Sequence, residues 1–187
     1  MLTNANSGSL VYRIDAGDRI TWVNEAWSEF ARGNHGEAVM PERILGQDLF
    51  ASISDSAVRE IYKSIVARVR AGAVVEFTYR CDAPDVRRTF DMVVRLLANG
   101  GEEFTSTLKH EEARPPVVVL EPGGIRSKNL IRVCSWCQKV AMPDERWLPV
   151  EEAVAETHLL EVLQIPAITH GICPPCHAGM MAKLEEM

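Results

Sequence analysis

The sequence predicts an α+β domain closed by a five-stranded antiparallel sheet with helices on one face, followed by a small module organised around paired cysteines. Three observations carry this. Strand-like alternation occurs twice near the start, in residues 10–15 and 19–23, and three more times in 73–81, 87–97 and 102–110. Helical periodicity is concentrated between these two groups, and two leading strands with three trailing ones close most simply as one antiparallel sheet. Further along, Cys134-Ser135-Trp136-Cys137 is answered by Cys173-Pro174-Pro175-Cys176, and two such pairs supply the ligand count of a tetrahedral thiolate site.

Taken in order, Leu10–Asp15 and Arg19–Val23 flank Ala16-Gly17-Asp18, which is hairpin turn chemistry. Asn24 then caps a helix over 25–32, with Ala26, Trp27, Phe30 and Ala31 on one face, and Gly33-Asn34 ends it. Short helical turns are expected around 41–45 and 48–50. The strongest helix follows: Ser54 reads as its N-cap, and Val58, Ile61, Tyr62, Ile65, Val66 and Val69 recur at three- and four-residue steps until Gly72. Val75, Phe77 and Tyr79 line one face of the next strand, and Phe90, Met92 and Val94 alternate on the one after. Asp82–Asp85 and Asn99–Gly101 are the turns between the strands.

Composition bounds the function. The chain has 187 residues, of which 47% are hydrophobic, enough for one medium domain and a small appendage. Apolar runs such as Val117–Leu120 are too short to span a bilayer, and residues 1–6 lack the basic and apolar regions of a secretory signal. The expectation is a soluble, cytoplasmic protein with no membrane association. Four of the five cysteines stand in metal-type pairs, which fits a reducing compartment better than a disulfide scaffold. A net charge of −6 argues against a surface built to neutralise nucleic-acid phosphates. Arg126, Lys128, Arg132 and Lys139 cluster around the first cysteine pair, whereas Glu151, Glu152, Glu156 and Glu161 follow it, so any basic face is small and reads as a solvated patch.

The hairpin Tyr12-Arg13-Ile14-Asp15…Arg19-Ile20-Thr21-Trp22-Val23-Asn24-Glu25-Ala26-Trp27, the segment Ile44–Phe50 and the long helix ahead of three strands resemble a PAS domain over residues 9–110. That resemblance implies sensing of a ligand, light or redox state, or dimerisation and signal relay. Residues 111–129, with Pro115-Pro116, Pro122 and Gly123-Gly124, read as a linker, with room for an edge strand at Val117–Leu120. Residues 130–187 form the four-cysteine zinc module. It opens on a strand at Leu130–Val133, passes through a turn and extended piece at Pro143–Leu148, and continues as a helix from Val150 to Leu163 that Pro166 ends. A last helix runs from Pro174 to Glu186. This segment is similar to a cysteine-paired tail on some bacterial PAS and response-regulator proteins, in Cys134, Cys137, His170, Cys173 and Cys176.

Zinc held by Cys134, Cys137, Cys173 and Cys176 would be a closed, structural site, since four thiolates leave no position for water. His170 is an alternative ligand, a hydrogen-bonding neighbour or a cap of the turn. The same thiolates could hold an iron–sulfur cluster or pair as disulfides under oxidation. In the first domain Trp22, Trp27, Phe30, Phe50, Phe77 and Phe90 are the large residues available to a ligand pocket, with ordinary core as the plainer reading. The long helix has no histidine to ligate haem, His35 and His110 read as solvated, and Cys81 reads as a small buried apolar residue on a strand. No nucleophile, base and orienting group occur together, so no catalytic residue is named. The reading is a non-catalytic bacterial signal-transduction protein acting through a protein partner, with homodimerisation through the first domain open. Its rivals are a thiol or metal redox sensor and a zinc-dependent, nucleic-acid-binding transcriptional regulator.

Overall fold

Strands β1 (Leu10–Ile14) and β2 (Ile20–Val23) form the predicted hairpin. Its turn is fixed by Asp15, whose Oδ1 accepts from the backbone N–H groups of Gly17 and Arg19 at 2.9 and 3.0 Å. Asn24 starts α1 (Glu25–Gly33) by accepting from the Trp27 N–H at 2.9 Å, and the same oxygen accepts from Val11 at 3.1 Å. One side chain therefore fixes both the helix start and its angle to β1. A short α2 (Pro41–Ile44) leads toward α3 (Ser56–Arg70). The cap of α3 is Asp55 rather than Ser54: its carboxylate accepts from the Val58 N–H at 3.0 Å, and a full negative charge suits the helix's positive end. The core face Val58, Ile61, Ile65, Val66 and Val69 is buried as the periodicity requires.

Described here, in a computed structural model, are residues 8–121, 126–157 and 165–187. Strands β3 (Val75–Arg80), β4 (Val86–Leu96) and β5 (Glu102–Ala113) complete an antiparallel five-stranded sheet in the order β2-β1-β5-β4-β3. Tyr12, Ile14, Val75, Phe77, Met92, Val94 and Phe104 point inward and pack with α3 into one core. Gly101 is required at the turn between β4 and β5, because a Cβ there would lie 2.3 Å from the Ile14 carbonyl oxygen. Strand β5 runs three residues into the stretch predicted as linker, where Glu111 and Glu112 lie opposite Arg88 and Arg87 of a correspondingly long β4.

The carboxylate of Glu102, 0% exposed, receives Arg70 at 2.7 Å and 3.2 Å, and Arg70 also pairs with Asp18 at 2.7 Å. This triad joins the hairpin turn, the end of α3 and the start of β5. Arg70→Met is expected to lower stability by about 3–5 kcal/mol by leaving a buried carboxylate without its counter-charge, measured by denaturant unfolding. A second expectation concerns alkali. Burial raises the Tyr62 phenol from its ordinary value near 10 to about 12. The folded state therefore holds that proton more tightly than the unfolded chain. Its contribution is complete below pH ~10 and falls away as pH rises toward 12, so stability followed together with tyrosinate absorbance should drop across that window.

Beyond β5, Val118–Leu120 forms a single 3₁₀ turn instead of an edge strand, and Val117 donates its N–H to the Pro84 carbonyl at 2.9 Å. The remaining elements are β6 (Arg126–Cys134), β7 (Val140–Ala141), β8 (Trp147–Leu148), α4 (Val150–Glu156), β9 (Ile165–Gly171) and α5 (Pro174–Glu185). They build a four-stranded sheet in the order β8-β7-β6-β9, with β6 and β9 parallel. Helix α4 is described to Glu156, and the rest of its predicted span, 158–163, lies outside the described residues. Pro166 does not follow a described helix but lies buried within β9, an edge strand that can dispense with its N–H. Val133, Val140, Met142, Val150, Ala153 and Val154 form a second core, and Val117 and Val119 from the stretch read as linker are part of it. Among the described residues no helix is long and apolar enough to cross a membrane.

Candidate metal centre

The first cysteine pair is a tight turn at the end of β6. Cys134 accepts from the Gln138 N–H at 3.0 Å and donates its own to the Lys139 carbonyl at 2.8 Å, with Gln138 at φ 60°. The second pair opens α5, with Cys173 at the N-cap and Pro174 and Pro175 at positions where no N–H is needed. The four sulfurs, Cys134, Cys137, Cys173 and Cys176, all lie within 4.8 Å of one another, and Cys137 and Cys173 are 3.7 Å apart. Sulfurs ~2.3 Å from a central ion form a tetrahedron with edges of about 3.8 Å, so the spacing matches one ion. All four are free thiols, and Cys134 and Cys173 are buried.

Their protonation points the same way. A hydrogen bond from Cys137, with help from the Cys173 N–H at 3.4 Å, favours the thiolate at Cys134. The same Cys134–Cys137 bond pushes the Cys137 thiol up, and burial pushes up Cys176. By themselves the surroundings favour the thiolate at Cys134 and oppose it at Cys137 and Cys176, and a cation at the centre of the cluster would reverse that opposition. The donor set fits a thiophilic metal. His170 is exposed on β9, paired in register with Val133, and does not belong to the sulfur cluster.

The cluster is fastened to the first sheet. Strand β3 is an edge strand with unpaired backbone groups. Arg80 donates its N–H to the Trp136 carbonyl at 2.8 Å, and Gln138 Nε2 donates to the Arg80 carbonyl at 3.2 Å. Trp136, 7% exposed, packs against Tyr62 and Phe77, with ring centroids 5.9 and 5.5 Å away, and those two rings also meet each other at 6.4 Å. Cys134, Ile172, Cys173, Met180 and Leu184 share the same core as α3 and the sheet. Arg132 passes over Gly171, where a Cβ would lie 2.1 Å from its Nε, to reach Asp55 at 2.7 Å. The buried Asp82 carboxylate accepts from Arg80 and, at 3.2 Å, from Arg114, which also pairs with Glu151 of α4 at 3.0 Å.

No family model matches the chain, and no curated protein matches it. Solved structures do. The Cronobacter turicensis RpfR quorum-sensing receptor PAS domain, in complex with C12:0, has 13% identity over 56% of this chain and 97% of its own, with a TM-score of 0.42. A domain of a sensory box sensor histidine kinase/response regulator from Geobacter sulfurreducens has 16% identity, coverage of 53% and 82%, and a TM-score of 0.39. The Aer2 receptor from Vibrio cholerae, a dual PAS-heme oxygen sensor, has 11% identity, coverage of 55% and 95%, and a TM-score of 0.38.

The six residues read from the sequence as a ligand pocket do not share one. Trp22 is 41% exposed on the edge strand β2 and lies under the Arg13 guanidinium at 4.4 Å, because strand alternation turns it to the sheet's outer face. Phe50 packs on the rim of the core, and Phe77 is buried beside Trp136. Trp27 and Phe30 line a cavity of about 370 Å³, and Phe30 and Phe90 line a neighbouring one of about 480 Å³. Cys81, directly after β3, also faces the first cavity, and burial raises its thiol pKa, as suits an unreactive filler. In the basic cluster, Arg126 bonds the Val119 and Pro166 carbonyls at 3.0 and 2.8 Å and Arg132 bonds Asp55, while Lys128 and Lys139 are exposed. Trp136 was missed as an anchor, although a large apolar residue inside a cysteine turn is itself a signal that the turn packs against something.

Proposed function

We propose that the chain is a non-catalytic signalling protein in which a PAS-like sensing domain is coupled to a zinc-stabilised module that reports to a protein partner. The insertion of Trp136, from inside the first cysteine turn, into the core of the first sheet carries this reading. A change in that core cannot leave the turn unmoved, because interiors are close-packed and respond to shifts of a methylene. The contacts form an unbroken series. Phe30 meets Phe90 at 5.8 Å, Phe90 stacks on Tyr79 at 5.6 Å, Tyr79 meets Phe77 at 6.3 Å, and Phe77 meets Trp136 at 5.5 Å. This series begins at the 370 Å³ cavity, lined by Phe30 and Tyr79, and ends at the cysteines.

Zinc is favoured over an iron–sulfur cluster by the sulfur spacing. A multi-iron cluster places its cysteines on different irons and spreads them, whereas these sulfurs surround the volume of one ion. The role is structural, since four sulfurs fill the tetrahedron. Hydrogen exchange on the full chain, before and after metal is stripped with a mercurial and chelator, tests the coupling. The expected result is lost protection in β3 and α3 as well as in residues 126–187. Loss confined to 126–187 would mean that the two parts are independent.

A further inference from the structure

We infer that the 370 Å³ cavity beside α1 binds a small apolar carboxylate, with the Arg88 guanidinium as its counter-ion. Arg88 lies on the inward face of β4, 9% exposed, a place where strands ordinarily carry apolar residues. Among the described residues the buried charged side chains include Arg88, Glu102, Arg114 and Asp82. Glu102 has Arg70, and Arg114 has Asp82 and Glu151, but among the described residues no carboxylate lies within ion-pair distance of the Arg88 guanidinium, although Asp82 accepts from the Arg88 backbone N–H at 3.3 Å. Its Nε donates to the Cys81 carbonyl at 3.1 Å, one Nη2 hydrogen goes to Asn34 Oδ1, and the Phe30 ring lies 4.9 Å from its Cζ. These are neutral partners, and they leave Nη1 free of protein acceptors among the described residues. A buried cation held only by neutral groups is costly, and a carboxylate arriving at Nη1 supplies the missing charge in the geometry a guanidinium favours.

Asp82 also borders the cavity, but its carboxylate is engaged by Arg80 and Arg114. The rest of the lining is the body of the site: Trp27, Phe30, Val39, Tyr79 and Leu120 offer rings and aliphatic carbon. A volume of about 370 Å³ lies at the low end of the ~300–1,000 Å³ typical of small-molecule sites, so the ligand is a short alkyl or aryl acid. The inference rests on reading the first domain as a sensor only for its consequence. The binding itself follows from the unpaired guanidinium.

The test is calorimetric titration of the metal-loaded full chain with octanoate and 4-phenylbutyrate, each beside its primary amide. At least one acid should bind, at least about tenfold more tightly than its amide. Arg88→Gln should erase that preference. Val39→Trp, at the exposed rim and away from the core, should block both acid and amide while leaving the melting temperature unchanged, and it stands as the test if the Arg88 variant does not fold. Equal binding of acid and amide, acid binding indifferent to both variants, or no binding of any of the four compounds overturns the inference. If the acids bind through Arg88 while hydrogen exchange in residues 134–137 and 173–176 stays unchanged, the site stands and the sensing role falls.

Discussion

Cys134→Ser is expected to lower the melting temperature of the whole chain by about 10 °C or more, together with loss of the bound metal. The argument runs from burial. Cys134 is 0% exposed and belongs to the same core as Ile61, Ile65, Phe77 and Phe104, so its sulfur supports both a ligand set and the packing of the first sheet. Structural zinc contributes an apparent ~10–16 kcal/mol to the folding of small metal modules. Loss of even ~4 kcal/mol shifts a chain of this length by about 8–16 °C. A single cooperative transition that moves as a whole is the expected form, read by calorimetry beside metal analysis of the same sample. A variant whose first sheet melts at the wild-type temperature would show that the cysteine cluster stabilises only its own segment.

Trp136→Ala is expected to destabilise by about 3–5 kcal/mol while metal content remains unchanged. The side chain is wedged against Tyr62 and Phe77, and removing it leaves a cavity between the cysteine turn and the core. Its indole N–H is buried without a hydrogen-bond partner among the described residues, so the position uses the ring and not the nitrogen. Trp136→Phe should therefore recover most of the loss, staying within about 1.5 kcal/mol of wild type. A double-mutant cycle of Trp136→Ala with Tyr62→Leu should show a coupling of about 0.5–1.5 kcal/mol. Additive effects would remove Trp136 as the physical link between the two parts.

Much of the first domain was legible because each element announces itself locally. Asn24 caps, Ala16-Gly17-Asp18 turns, Val58 through Val69 mark a helix face, and Phe90, Met92 and Val94 mark a strand face. The four cysteines were legible for the same reason: their spacing is a local property, and the fold needed only to bring the pairs together. What the sequence concealed depends on contacts between distant segments. Strand β9 contains Pro166, a residue that ordinarily argues against a strand, and it exists because β6 offers it a parallel edge. Val117 and Val119 sit in a proline-rich stretch and are buried only because the second sheet lies over them. Arg88 sits in the charged run Val86-Arg87-Arg88-Thr89, and the alternation of β4 turns it inward while Arg87 stays out to meet Glu151. Asp55 displaces Ser54 as the helix cap because it also answers Arg132 from 77 residues away.

The central claim is that the two cysteine pairs converge on one ion, and zinc K-edge X-ray absorption on the purified chain tests it most directly. The account predicts one zinc per chain with a first shell of four sulfurs at ~2.3 Å. A shell dominated by nitrogen or oxygen at ~2.0–2.1 Å, or protein without stoichiometric metal, contradicts it.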